Sequence, residues 1–368
     1  MINIEINRTS LVSDTFTSIF NMSNTDLLKK FKIMYQNEIG IDSGGLTKDW
    51  FLEISNKLVN PSYCLFRKTG VSSEYYDIDS RSDVNTAHLD YFYIFGRILG
   101  KAIYDRHLID VPFSQLFFKR LLNTSSSKNS YTLKDVEQDD VEYARSLKWI
   151  LNENIDSVDL DLTFSVTRSS VGNVVHEVPL LPNGINIDVT DANKIEYVNL
   201  LVQWHCELSI RNQINALRRG FFQLMPSNKI NIFTVEELDL LIGGVKDIDV
   251  ELLQNVCIYK GGYENIDVEK NSSVNYFWDI LKEMELEMKR KVLRFITGTT
   301  RIPLDGFDPC FQICKASRGG EEGDEQVALP TAHTCFNQLV LPAYKSRELM
   351  KEKLLYALEE SDGTFGMT

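Results

Sequence analysis

No apolar run in the 368 residues approaches the ~20 that cross a bilayer. The first residues, Met1 to Asn7, are polar and acidic where a secretory leader needs a basic stretch followed by an apolar one, so a chain that is not secreted is expected. Positive charge is in deficit: 39 Lys and Arg against 52 Asp and Glu leave a net charge of −13, which repels phosphate backbones and anionic lipid. Nucleic acid and membrane are therefore poor partners, and a basic protein surface fits better. Cysteine is sparse as well. Cys64, Cys206, Cys257, Cys310, Cys314 and Cys335 are too few and too irregular to staple a chain of this length. Reduced thiols in a cytoplasmic or nuclear compartment are the default, with at least one thiol free to react. No internal repeat is present, and the one biased stretch, Ser125 to Ser127, falls in an expected loop.

A hydrophobic fraction of 43% with 25% charged residues suits a sizeable globular core, and the length suggests two or three compact units. Most of the first 245 residues reads helical, because apolar residues recur three and four apart, as at Phe95, Ile98, Leu99, Ala102 and Ile103. From Asp191 to Arg219 there is neither Gly nor Pro, which predicts one long helix ended or bent at Gly220. Leu160 to Val166 alternates apolar and polar, and Val174 to Leu181 is rich in β-branched residues, so a small two- or three-stranded excursion is expected there. After the apolar helix Thr234 to Ile242 come Gly243 and Gly244, whose freedom from side-chain sterics marks a candidate hinge. Beyond it, helical stretches (Val274 to Phe295, Ser346 to Glu360) mix with short extended ones (Phe311 to Cys314, Gln338 to Leu341), as in a compact α/β unit. Gly319 to Glu325 reads as an exposed acidic loop.

The segment Leu329 to Asn337, LPTAHTCFN, sets Cys335 among small polar residues and an Asn, which suits a thiol at a surface or cleft. An ordinary free thiol is a few per cent thiolate at neutral pH, roughly enough to exchange with a thioester without a full triad. His333, two residues earlier, lies on the same face of an extended strand and is a candidate to lower the thiol pKa. Other readings of the same residues stand beside this one. Any single cysteine can be a small buried hydrophobe. Cys310, Cys314, His333 and Cys335 are candidate zinc ligands, although a spacing of four and the lack of a second knuckle argue against it, and no metal or cofactor is expected. A cysteine hydrolase needs a distant histidine with an orienting Asn or Asp, and His88, His107, His176 and His205 lie in segments without such neighbours. From the residues alone the answer is a thiol nucleophile of unspecified reaction.

Those residues resemble the HECT ubiquitin ligases. LPTAHTCFN is similar to that family's active-site signature, and it is joined by IGIDSGGLTKDWF (Ile39 to Phe51), GRILGKAIYD (Gly96 to Asp105), GGY (Gly261 to Tyr263) and TGTTRIP (Thr297 to Pro303). The likeness runs from about Ile4 to the last residue. Within the family the later part looks most like the papillomavirus-associated branch, whose ending is similar to Phe365, Gly366, Met367 and Thr368. The resemblance implies an α+β, bilobal fold: a large, mainly helical N-lobe over 1–243, a flexible hinge over 244–247 and a small catalytic α/β C-lobe over 248–368. It also implies a conjugating-enzyme-binding subdomain at about 140–205, with Tyr143, Leu147, Leu160, Leu162, Tyr197 and Leu201 lining the groove. Leu160 and Leu201 depart from the bulky residues often found there, which bears on partner choice.

The implied chemistry takes ubiquitin from a conjugating enzyme onto Cys335 as a thioester and passes it to a lysine of a protein substrate. His333 and Thr334 flank the thiol. Phe365, four from the end, is implied to seat the C-lobe during transfer. Asp362 or the Thr368 carboxyl is a candidate base, and Arg301 a candidate support for the thioester oxyanion or a surface ion pair. An inactive adaptor of the same fold and a hydrolase of ubiquitin-like conjugates are the alternatives. The chain is expected to be either a fragment or an unusually short member.

Overall fold

The structure is a computed structural model that describes residues 1–36, 45–70, 74–122, 131–158, 160–170, 174–264, 273–316 and 328–365, with backbone alone at 169–170, 174 and 362–365. The fold is α+β, and the described apolar residues gather into three cores. The largest draws on residues from Ile4 to Ile242, with Trp50, Phe92, Phe95, Phe117 and Phe221 at its centre. The helix His88–Asp105 supplies much of it. Its apolar spacing places Phe95, Ile98, Leu99 and Ala102 wholly inside, and it stops where Arg106 turns left-handed at φ 61° and its N–H bonds back to the Ala102 and Ile103 carbonyls.

The single helix expected over 191–219 is two. Lys194–Cys206 and Arg211–Phe221 are separated by the 3-10 turn Leu208–Ile210, with Glu207 at φ −136°, ψ −55°. Cys206 belongs to another core than Ile210, so the chain must turn to serve both. Gly220 does not end the second helix but lies in its last turn, where it lets two backbones meet. A Cβ there would stand 2.0 Å from the Tyr93 carbonyl oxygen, and one on Gly96 would stand 2.0 Å from that of Leu217. Each helix offers a glycine to the other.

The smaller second core packs Leu147, Val198, Tyr197, Leu201, Val202, Ile155 and Phe164 beside the antiparallel pair Ser165–Ser170 and Val174–Pro179. The strand expected from Leu160 begins only at Ser165. Before it the chain makes an isolated bridge between Thr163 and Asp188, so Leu160 and Leu162 are not on a ladder. This unit is tied to the first by Asp139, which accepts from His205 Nε2 at 2.7 Å and also from Arg67 and Thr69. Burial pushes the Asp139 carboxyl up, but His205, Arg67 and Thr69 outweigh it and hold the group well below the usual range.

The third core, from Ile248 to Leu358, wraps a mixed four-stranded sheet ordered Ile258–Lys260, Gln312–Lys315, Gln338–Leu341, Thr331–His333. The helical stretch read over Val274 to Phe295 is broken at 284–285 into Ser273–Glu283 and Leu286–Thr297, and the last helix is Arg347–Phe365. The acidic loop read at Gly319 to Glu325 and the serines 125–127 lie outside the described residues.

Between the first and third cores, Gly243 closes the helix Val235–Gly243, which starts from a Thr234/Glu237 capping box. Gly243 is helical and buried, and a Cβ there would stand 2.6 Å from Arg301 Nη1. Only Gly244 takes a left-handed angle, φ +78°. Both glycines thus serve close packing, a Cβ on Gly244 standing 2.8 Å from the Ile302 carbonyl oxygen. Val245 N–H then bonds to the Ile302 carbonyl at 2.8 Å, and Thr300 Oγ1 donates to Asp110 at 2.6 Å across the lobes.

Gly220→Ala tests the helix contact. Ala is the better helix former by about 1 kcal/mol, so an open site would gain stability. The clash with the Tyr93 carbonyl predicts a loss of about 1–3 kcal/mol in urea unfolding; a raised midpoint would mean the helices do not meet there.

Candidate active site

Strands Thr331–His333 and Gln338–Leu341 run antiparallel, with His333 opposite Gln338. The four residues between them carry Cys335: a 3-10 turn, Thr334–Phe336, then Asn337 in the left-handed region at φ 48°, ψ 44°. Asn tolerates that conformation better than most residues. Its side chain is buried and works in two directions. Nδ2 donates to the Pro309 carbonyl at 2.7 Å, and Oδ1 accepts from Lys48 Nζ at 2.9 Å. Gln312 holds the loop from below, its N–H bonding to the Asn337 carbonyl at 2.9 Å and its Nε2 to that of Phe336 at 3.2 Å.

Cys335 is half-buried at this tip and abuts the first residue of the helix Gly45–Leu58 from the large lobe. A Cβ on Gly45 would stand 2.0 Å from Cys335 Sγ, so only glycine lets the two lobes meet at the sulfur. Thr334 Cβ and the Lys48 stem both lie against Gly298, which has φ +75° and caps the helix Leu286–Thr297. Around the thiol opens a cleft of about 760 Å³ between the lobes, walled by Lys48, Asp105, His107, Phe307 and Asn337. Burial holds the Lys48 ammonium down to about 8, against the opposing pull of Cys335.

Among the other cysteines, Cys64 is half-buried and Cys310 exposed. Burial pushes the Cys206 and Cys257 thiols up to about 12, as befits inert packing groups. Among the described residues no three His, Cys, Asp or Glu side chains gather as a metal would need. Cys314 is buried within its strand.

His333 is exposed at the end of its strand, and among the described residues no hydrogen bond joins its ring to Cys335. Arg301 is buried at the lobe junction with Nη1 3.4 Å from the Gly243 carbonyl, which removes it from a surface ion pair. Phe365 ends the last helix, but its side chain, like that of Asp362, and the whole of Thr368 lie outside the described atoms. Of the groove residues, Leu147, Tyr197 and Leu201 are buried in the smaller core and present no open surface. Tyr143 and Leu162 are half-buried, the former stacked on His205 at 5.2 Å, and Leu160 is 41% exposed. The six line a packed interior with a rim, not one open groove.

Sequence reasoning passed over Gly45, Lys48, Gln312 and Asn337. Gly45 and Lys48 lie in IGIDSGGLTKDWF and Asn337 in LPTAHTCFN, yet no local spacing links positions 289 apart.

A family model described as HECT-domain (ubiquitin-transferase) matches residues 52–368. The curated relatives include "E3 ubiquitin-protein ligase pub1" of Schizosaccharomyces pombe, 40% identical over 366 residues, covering 98% of this chain and 46% of that protein. "E3 ubiquitin-protein ligase RSP5" of Chaetomium thermophilum is 37% identical over 98% of this chain and 43% of its own length. "E3 ubiquitin-protein ligase pub3" of S. pombe is likewise 37% identical, over 98% and 44%. The chain thus spans less than half the length of these relatives. With a family model across most of its residues and relatives aligned along nearly all of it, the chain belongs to the HECT-domain (ubiquitin-transferase) family.

Proposed function

We propose that this chain accepts ubiquitin from a conjugating enzyme as a thioester on Cys335 and passes it to a lysine of a protein substrate. The observation that carries the reading is the setting of Cys335: a half-buried thiol on a hairpin tip, fixed from both sides through Asn337 and facing an interlobe cleft. A thiolate at that tip attacks the donor thioester, forming one C–S bond and breaking another. A lysine amine then forms the C–N bond, and Cys335 leaves as thiolate. Neither step calls for a metal or cofactor.

The remaining parts of the reading are supported by placement and chemistry. The thiol must meet first a donor and later an acceptor, and rearrangement over 244–247, where Gly244 has a positive φ, would let it do both. The docking surface for the conjugating enzyme is read at Leu160, Leu162 and Tyr143, over the buried Leu147, Tyr197 and Leu201. Phe365 seats the small lobe during transfer, Asp362 serves as base, and His333 and Thr334 flank the reacting sulfur. Within the family, the later part of the chain suggests the papillomavirus-associated branch, whereas the relatives named pub1, RSP5 and pub3 align with it over 366 residues. The longer agreement weighs more, and we group the chain with them. A cytoplasmic or nuclear site of action follows from the reduced thiols.

With activating enzyme, a conjugating-enzyme panel, ATP and labelled ubiquitin, a non-reducing gel should show an adduct that reductant removes and that Cys335→Ala lacks. The variant's melting temperature should stay within about 4 °C, as a shift of under 1 kcal/mol gives. A larger fall would favour a packing role for the cysteine. Leu160→Asp, at an exposed site, should slow loading several-fold while unfolding stays the same, and unaltered loading would remove the docking assignment. Deleting 365–368 should spare the thioester yet slow lysine modification; equal loss of both steps would contradict the role given to Phe365.

A further inference from the structure

Lys48 has no part in the reaction as described so far, yet it reaches the reactive loop from the opposite lobe. It stands three residues after Gly45 on the helix Gly45–Leu58, so the two share a face. Gly45 abuts the Cys335 sulfur, and Lys48 Nζ donates to Asn337 Oδ1 at 2.9 Å, two residues beyond that sulfur. Its stem runs beside Gly298, against which Thr334 also packs. The half-buried ammonium is bound there to an amide oxygen, not to a carboxylate, so this bond does not cancel its charge.

We propose that Lys48 is a positioning residue of the transfer step: bound to Asn337, it fixes the loop that carries Cys335 and holds a positive charge beside the sulfur as that sulfur leaves. The inference rests on the acyl-transfer reading above. When an acceptor amine attacks the thioester carbonyl, the C–N bond forms and the C–S bond breaks. The electron pair stays on the Cys335 sulfur, and the amine proton passes to the carboxylate base proposed above. A fixed cation in a partly desolvated site stabilises the thiolate as it develops. Because Lys48 comes from the large lobe, this help exists only while the lobes meet at Gly45. Gln312, by contrast, travels with the thiol on its own sheet.

The test separates this role from the activity it depends on. The wild type, Lys48→Gln and Lys48→Arg are each loaded with labelled ubiquitin on Cys335, loading is stopped, and discharge to free lysine is followed in a single turnover. Lys48→Gln should form the thioester but discharge it roughly tenfold or more slowly, and Lys48→Arg, which keeps the charge, should recover most of the rate. Equal discharge by Lys48→Gln and wild type would overturn the proposal, as would Lys48→Arg being as slow as Lys48→Gln. Ubiquitin found in isopeptide linkage on Lys48 itself would also overturn it, because the amine would then be an acceptor. A wild type that never forms the thioester would sink the acyl-transfer reading and the Lys48 role with it.

Discussion

The hydrogen bond from Lys48 to Asn337 joins the large lobe to the loop that carries Cys335. Much of the site's geometry depends on Asn337. It supplies the left-handed residue that returns the chain from the 3-10 turn into its strand, and its amide group spends one end on Pro309 and the other on Lys48. Such a buried amide is costly unless both ends are satisfied, and here they are, one within the small lobe and one across the interface. Cys335 is therefore held in place by a neighbour. That placement suits a nucleophile, which needs a fixed position and an open approach.

Close approach of backbones is the second constraint. Gly96 and Gly220 let the two central helices of the large lobe touch, and Gly45 lets the sulfur of one lobe rest on a helix of the other. The cost of a methyl group at any of these points is steric, and no nearby side chain can relieve it where the obstacle is a carbonyl oxygen. The rigid large lobe then serves as an anvil for the small one. Polar contacts at the junction, Thr300 on Asp110 and Lys246 on Asp239 at 2.8 Å, are partly exposed and modest in strength. A lobe contact built from a few such bonds can be made and broken.

The α+β class, the helix Val235–Gly243 and the strand Gln338–Leu341 were legible because each follows from a short local pattern. Local pattern fails where a tertiary demand intervenes. Nothing in 191–219 breaks a helix by propensity, yet Cys206 and Ile210 belong to different cores, and the chain turns between them. The same applies to the site. The placement of Cys335 at a half-buried tip agrees with its small polar neighbours, whereas Gly45 and Lys48 acquire meaning only from contacts to Cys335 and Asn337 nearly the whole chain away. Arg301 shows the opposite error: a charged residue in a motif suggested a surface ion pair, and its guanidinium is instead buried against Gly243.

The account stands on Cys335 meeting the large lobe at Gly45, and cross-linking measures that contact directly. In the Gly45→Cys variant, mild oxidation followed by peptide mapping should find a disulfide between the introduced thiol and Cys335 in high yield, since the two side chains need only a small separation of the lobes to bond. No such linkage, with Cys335 alkylated as readily as in unfolded chain, would mean the lobes do not meet there in solution.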